Sequence, residues 1–160
     1  MMDFAGLRGA DQAVFSEQDI TLECGQRKLQ IKFCTPSIIN VKMLPHEPYG
    51  AAEKMIVEKE EWDPTNVSMI KEGPNQVKAE TENLGVEVEL DTLKLNFYDA
   101  RGNLLLSTDD GHFIELQRAA AGAESSQKRM LFRTDPKESF YGLGDGGYEF
   151  EKTGTSHLMW

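Results

Sequence analysis

The sequence predicts an all-β fold, an antiparallel β-sandwich. Three observations predict it. Apolar and polar residues alternate with period two along most of the chain, strand-like runs recur about every ten residues, and Gly, Pro, Asn and Asp separate them. Alternation puts every second side chain on one face of a sheet, and closely spaced turns favour hairpins over strand–helix–strand units.

The first run sets Ile20, Leu22 and Cys24 against Thr21 and Glu23, and the second sets Leu29, Ile31 and Phe33 against Gln30 and Lys32. Gly25-Gln26-Arg27 between them reads as a hairpin turn. Pro36 interrupts the pattern, which resumes with Ile39, Val41 and Met43, and the stretch 45–50, Pro-His-Glu-Pro-Tyr-Gly, reads as a loop. Ala51 to Trp62 is rich in helix formers yet holds the compact apolar run Met55-Ile-Val57, which favours a strand. Val86, Val88 and Leu90 alternate with glutamates, and Leu93, Leu95 and Phe97 alternate with Lys94 and Asn96. Asp99 to Asn103 forms a tight turn into Leu104–Ser107. His112–Arg118 and Arg129–Arg133 are two further strand-like runs, and the biased stretch 119–126 between them reads as a surface loop. The side chains expected on inner faces are Ile20, Leu22, Ile31, Phe33, Val41, Val86, Val88, Leu95 and Phe97.

Composition narrows the function classes. At 160 residues the chain fits one domain, with 39% apolar and 28% charged residues, as in ordinary soluble proteins. A formal charge of −10 disfavours nucleic acid and anionic membranes, both of which call for clustered Lys and Arg. No run approaches the roughly twenty apolar residues of a membrane span. The amino end has neither a basic start nor an apolar h-region, so a cytoplasmic location is expected. Cys24 lies at the proposed turn and Cys34 well away from it, so two reduced, buried thiols are expected and no disulfide.

Gly142, Gly144 and Gly147 spell G-x-G-x-x-G after a strand-like run, the written form of a dinucleotide-binding loop. Such a loop works by opening a helix whose N-terminus holds the pyrophosphate. Here Tyr-Glu-Phe-Glu-Lys-Thr-Gly follows, with another glycine and no helical stripe, so no nucleotide site is expected. His46, His112 and His157 are scattered without a second ligand type at metal spacing, and no metal or other cofactor is expected. Asp109-Asp110-Gly-His lacks the calcium-loop pattern, Ser125 and Ser126 lack a nucleophile elbow, and Glu58 to Glu61 reads as a solvated stretch. No carboxylate pair is marked by sequence as catalytic.

Four stretches in this order resemble the amino-terminal domain of glycoside hydrolase family 31, the α-glucosidases and α-xylosidases. They are Cys34-Thr-Pro-Ser-Ile-Ile-Asn-Val-Lys-Met, Val86 through Asp99, Gly102-Asn-Leu-Leu-Leu-Ser and Ser139-Phe-Tyr-Gly-Leu-Gly-Asp. The resemblance implies a galactose-mutarotase-like β-sandwich preceding a (β/α)₈ barrel that holds the aspartate nucleophile, in a Trp-x-Asp-Met motif, and the aspartate acid. Neither motif occurs here, so the chain is expected to be an excised, non-catalytic part of a larger retaining α-glycosidase, inactive alone. The implied division is a lead-in at 1–15, the sandwich at 16–144, and a loop at 145–160 running toward the absent barrel. In the parent enzyme the loop would help to bind an α-linked oligosaccharide or glycoside. Its polar residues Asp145, Lys152, Thr153 and His157 are the implied substrate-binding set. Asp145 stands where the family often has Glu, and Lys152-Thr-Gly where Lys-Arg-Gly is common. The apolar tail, with Tyr148, Phe150, Leu158, Met159 and Trp160, is expected to fold onto its own sandwich or dock on a neighbouring copy, so a homo-oligomer stays open. A free-standing carbohydrate-binding or protein-interaction sandwich is the other reading. A mutarotase-like epimerase would need His and carboxylates converging in one cleft, which the scattered histidines disfavour.

Overall fold

The computed structural model describes residues 4–6, 9–25, 27–44, 62–71, 73–108, 114–120, 123–129, 131–141 and 151–154. These residues form strands and turns, with no helix among them. A four-stranded antiparallel sheet runs β2 (Gln12–Phe15), β3 (Asp19–Cys24), β4 (Arg27–Thr35), β5 (Ile38–Leu44) in chain order. A six-stranded sheet holds β6 (Ser68–Lys71), β7 (Gln76–Glu80), β8 (Leu84–Glu89), β9 (Leu95–Asp99) and β10 (Leu104–Thr108), again as a meander, with β13 (Phe132–Arg133) on the far edge of β10. A third, smaller sheet joins β1 (Phe4–Gly6) to β11 (Ile114–Ala120) and β12 (Ala123–Arg129).

Alternation dictates which faces meet. In β3 every second residue is buried, and the ladder sets Ile20 against Ile31 and Leu22 against Leu29. On the other sheet Val77 faces Val88, Ala79 faces Val86, and Val88 faces Leu95. One core cluster draws on both sheets, so the two pack face to face as a sandwich. Of the nine inner-face residues named from sequence, seven are fully buried, while Val41 and Phe97 pack against the cluster half-buried. Burying each large aliphatic side chain is worth roughly 1.5–3 kcal/mol, which makes this cluster the main source of stability.

Irregular points have local causes. Gly25, at φ +62°, turns the β3–β4 hairpin, with Cys24 paired to Arg27 across it. A register shift between Phe33 and Thr35 lets the consecutive Phe33 and Cys34 both be buried, which a regular strand forbids. Cys24 and Cys34 are free, buried thiols, as the sequence suggested. Gly9, at φ +75°, passes so close to the other sheet that a Cβ would sit 2.8 Å from the Asp91 carbonyl oxygen. Next to it the Ala10 amide donates to the Leu90 carbonyl at 2.6 Å and the Asp11 amide to Glu23 at 2.7 Å, so this segment ties the two sheets together.

Several expectations need correcting. The stretch 119–126 is not a loop: Ala119 pairs with Glu124 and Ala120 with Ala123, continuing the β11–β12 hairpin. Biased composition misled there because backbone pairing needs no particular side chain. Leu93 belongs to the turn ahead of β9, at φ +58°, although its side chain is buried like a strand residue's. The run 129–133 splits, since β12 ends at Arg129 and β13 begins at Phe132. Strands β1, β2, β6 and β7 were not singled out by sequence. The loop at 45–50 and the run Met55-Ile-Val57 lie outside the described residues.

Candidate functional site

The residues on either side of the glycine-rich stretch meet in a small antiparallel clasp. Tyr141 and Glu151 form a β-bridge, and the Lys152 amide donates to the Phe140 carbonyl at 2.6 Å. Thr153 locks the clasp twice: its hydroxyl accepts the Phe140 amide at 3.2 Å, and its own amide donates to a Glu151 carboxylate oxygen at 2.9 Å. Gly154 follows at φ +73°, a conformation glycine adopts without strain. The clasp thus brings the chain at 141 back to the chain at 151, fixing both ends of the stretch between.

Electrostatics follow from these bonds. The Thr153 hydroxyl and amide hold the Glu151 carboxyl below its ordinary value, even though it is open to solvent. Lys152 is 9% exposed, a high degree of burial for a lysine, while Thr153 is exposed. Phe140 and Tyr141, at 46% and 58% exposure, present two aromatic side chains at the clasp.

Of the four residues named from sequence, the structure places Lys152 and Thr153 side by side in the clasp. Asp145 and His157 lie outside the described residues, as do Tyr148, Phe150, Leu158, Met159 and Trp160. Thr153 spends its polar groups on the clasp. Sequence reasoning missed Glu151. The available signal was an acidic residue two positions before Thr and followed by Gly, a spacing that suits a carboxylate-capped turn. Among the described residues no three His, Cys, Asp or Glu side chains gather where a metal could sit.

A family model described as the glycosyl hydrolase 31 N-terminal galactose mutarotase-like domain matches residues 28–160. The chain belongs to this family. The match takes in the clasp, the whole six-stranded sheet, β5 and all of β4 but its first residue, and leaves out β2 and β3.

No curated protein sequence matches the chain. Solved structures share its fold. A family 31 dextranase of Flavobacterium johnsoniae, complexed with isomaltotriose, superposes with a TM-score of 0.74 at 20% identity, over 98% of this chain and 19% of that one. The cycloalternan-forming enzyme of Listeria monocytogenes, complexed with a pentasaccharide substrate, gives 0.75 at 19% identity, over 97% and 14%. A family 31 α-xylosidase from a soil metagenome, complexed with xylose, gives 0.68 at 18% identity, over 91% and 24%. The chain therefore spans at most about a quarter of the length of these enzymes. No helix among the described residues is long and apolar enough to cross a membrane.

Proposed function

We propose that this chain is the non-catalytic amino-terminal sandwich of a retaining α-glycosidase of the α-glucosidase type, acting in the cytoplasm on α-linked oligosaccharides. Its contribution is the clasped loop, which forms one wall of the substrate pocket beside a (β/α)₈ barrel of the same polypeptide. The observation that carries the reading is the family match across residues 28–160, which includes the clasp. The oligosaccharides held by the dextranase and the cycloalternan-forming enzyme support a sugar as substrate. Leu104, Leu105 and Leu106 support a packed neighbouring domain. They stand 40–56% exposed in a row on β10. A contiguous apolar strip of this kind marks an interaction surface.

In this role Lys152 and Thr153 act by position. Asp145 and His157 complete the substrate-binding set, and neither is assigned a part in breaking the glycosidic bond. Retaining hydrolysis needs a nucleophile and an acid about 5–5.5 Å apart, and the resemblance assigns both to the barrel. Assaying an aryl α-glucoside with the purified chain, and with the longer polypeptide that continues into a barrel, tests the proposal. The chain alone is expected to be inert and the longer protein to release sugar with retained configuration. Turnover by the chain alone, or a longer protein without glycosidase activity, would refute it.

A further inference from the structure

The outer face of the six-stranded sheet carries a groove that the proposed function does not use. Glu80, Gly85 and Tyr98 stand side by side across β7, β8 and β9, and Lys78 and Glu87 pair in the next row. With Arg101 and the rest of the turn after β9 they line an open groove of about 540 Å³. The intervening residues Val77, Ala79, Val86 and Val88 are buried on the opposite face, so the groove is no part of the core.

Gly85 is the residue that calls for explanation. A glycine inside a strand weakens it and often marks a close approach. Gly85 has no positive φ, and a Cβ there would meet nothing nearer than 3.7 Å, an ordinary contact. Neither backbone conformation nor crowding demands glycine. What the missing side chain does is leave room on this face between its two cross-strand neighbours, Glu80 and Tyr98, whose Cβ atoms stand 3.7 and 4.0 Å from where a Gly85 Cβ would be. Tyr98 is the aromatic beside that space. It is half-buried, and its hydroxyl has no hydrogen-bond partner among the described residues. Burial and then the Glu87 charge raise its pKa, which keeps the hydroxyl a neutral donor.

The polar rim is held in place by the fold. Glu80 pairs with Lys78 at 2.9 Å, Glu87 accepts from the Asn96 amide at 3.1 Å, and Asp99 accepts the Arg101 and Asn103 amides, each at 2.8 Å. The Arg101 side chain extends from this turn into solvent without a partner among the described residues. Two cations, Lys78 and Arg101, stand against three carboxylates, Glu80, Glu87 and Asp99, so phosphate and other polyanions are poor ligands here. An apolar ligand would strand the charges. A pyranose fits both features, since it has an apolar C–H face for an aromatic ring and a rim of hydroxyls for planar charged groups.

We infer that this groove binds a pyranose oligosaccharide, with Tyr98 as the stacking platform and Arg101, Lys78 and Glu80 bonding the hydroxyls. It shares no residue with the clasped loop. The inference goes beyond the proposed function and does not depend on the chain being part of a glycosidase. The test is titration of the 160-residue chain with maltotriose and with cellotriose, followed by amide chemical shifts. Saturable shifts at Gly85, Tyr98, Arg101 and Gly102 with either sugar are expected. Gly85→Val, whose methyl groups would rise into the groove, should weaken binding by about tenfold or more while the melting temperature holds or rises. Tyr98→Phe should keep affinity within about threefold, because the stacking surface remains. Absence of saturable shifts with both sugars, shifts confined to other residues, or unchanged affinity in Gly85→Val would each overturn it. Because the readout is binding, it can fail while the hydrolysis test succeeds, and the reverse.

Discussion

The Thr81 hydroxyl donates to the Pro36 carbonyl oxygen at 2.7 Å, joining the β7–β8 turn of one sheet to the β4–β5 turn of the other. The Thr81 hydroxyl oxygen in turn accepts the Leu84 amide at 3.1 Å, and beside it the Asn83 side chain donates to the Ser37 hydroxyl at 3.0 Å. One hydroxyl thus shapes its own turn and fastens it across the sandwich. Thr81→Val keeps the shape and removes the oxygen, leaving part-buried groups unpaired. A loss of about 1–2 kcal/mol in urea unfolding is expected, with the denaturant slope unchanged. A variant as stable as the parent would show that the turns are held by packing alone.

A second polar chain runs across the six-stranded sheet. The Ser107 hydroxyl donates to the Asn96 side-chain oxygen at 2.7 Å, and the Asn96 amide donates to Glu87 at 3.1 Å. Asn96 and Ser107 are both buried. Asn96→Ala would leave Ser107 with only a longer contact to the Thr108 carbonyl, at 3.2 Å. The expected cost is about 1–3 kcal/mol by thermal or chemical denaturation. Ser107→Ala should cost less, since Asn96 keeps its bond to Glu87.

Leu93 sets two effects against each other. Its φ of +58° is a conformation that costs a non-glycine residue roughly 1–2 kcal/mol, yet its side chain is 1% exposed in the core. Leu93→Gly would relieve the strain and lose a burial worth about 2–5 kcal/mol with its cavity. At the middle of both ranges burial wins, and a net destabilisation of about 2 kcal/mol is expected from the difference. Greater stability in Leu93→Gly would show that strain dominates.

Cys24 carries a pH prediction. Burial, and then the Asp11 charge, push its thiol from an ordinary 9.0 up to about 11. Between these values the unfolded thiol ionises while the folded one stays protonated. The folded state then binds more protons, and stability falls as pH rises. The contribution is complete below about 9 and lost on the way to about 11. Cys24→Ala should flatten the alkaline arm of a melting-temperature profile. In the native protein at pH 8 a thiol reagent should label Cys24 far more slowly than in denaturant.

The clasp should respond to acid. The Glu151 carboxyl is held below its ordinary 4.5 by Thr153, so its stabilising bonds are present above that value and fade as pH falls through the lowered one. Amide exchange at Thr153 should therefore quicken, beyond the intrinsic trend, as the solution is acidified below 4.5. Glu151→Gln should remove the dependence, and an identical profile in that variant would assign the clasp to the backbone bonds alone.

Legibility from sequence followed periodicity. Strands β3, β4, β5 and β8 alternate cleanly, because one face meets the other sheet and the other meets water, and the inner-face residues could be named from that alone. Strand β7 was missed because Gln-Val-Lys-Ala-Glu has one large apolar residue, its second inner position being only an alanine. Strand β11 was anticipated by the run His112–Arg118, but β12 was missed for a related reason, since Ala, Ser and Glu announce no strand and their pairing is decided by the partner. At the site, Lys152 and Thr153 were placed on a loop by resemblance. Their actual positions depend on bonds to Phe140, more than ten residues earlier, which no local pattern reveals.

The meander order of the two large sheets bears on how the chain reaches this state. Apart from β13 on β10, each strand in them pairs with its neighbour in sequence. Each ladder therefore closes only a short loop, and short loops form early because little chain entropy opposes them. Both sheets can assemble as independent hairpin units, leaving their docking as the late event. Pulse-labelled amide exchange during refolding reads this order. Protection within the β3–β4 and β8–β9 hairpins should precede protection of the Ala10 amide, whose bond to Leu90 exists only once the sheets have met.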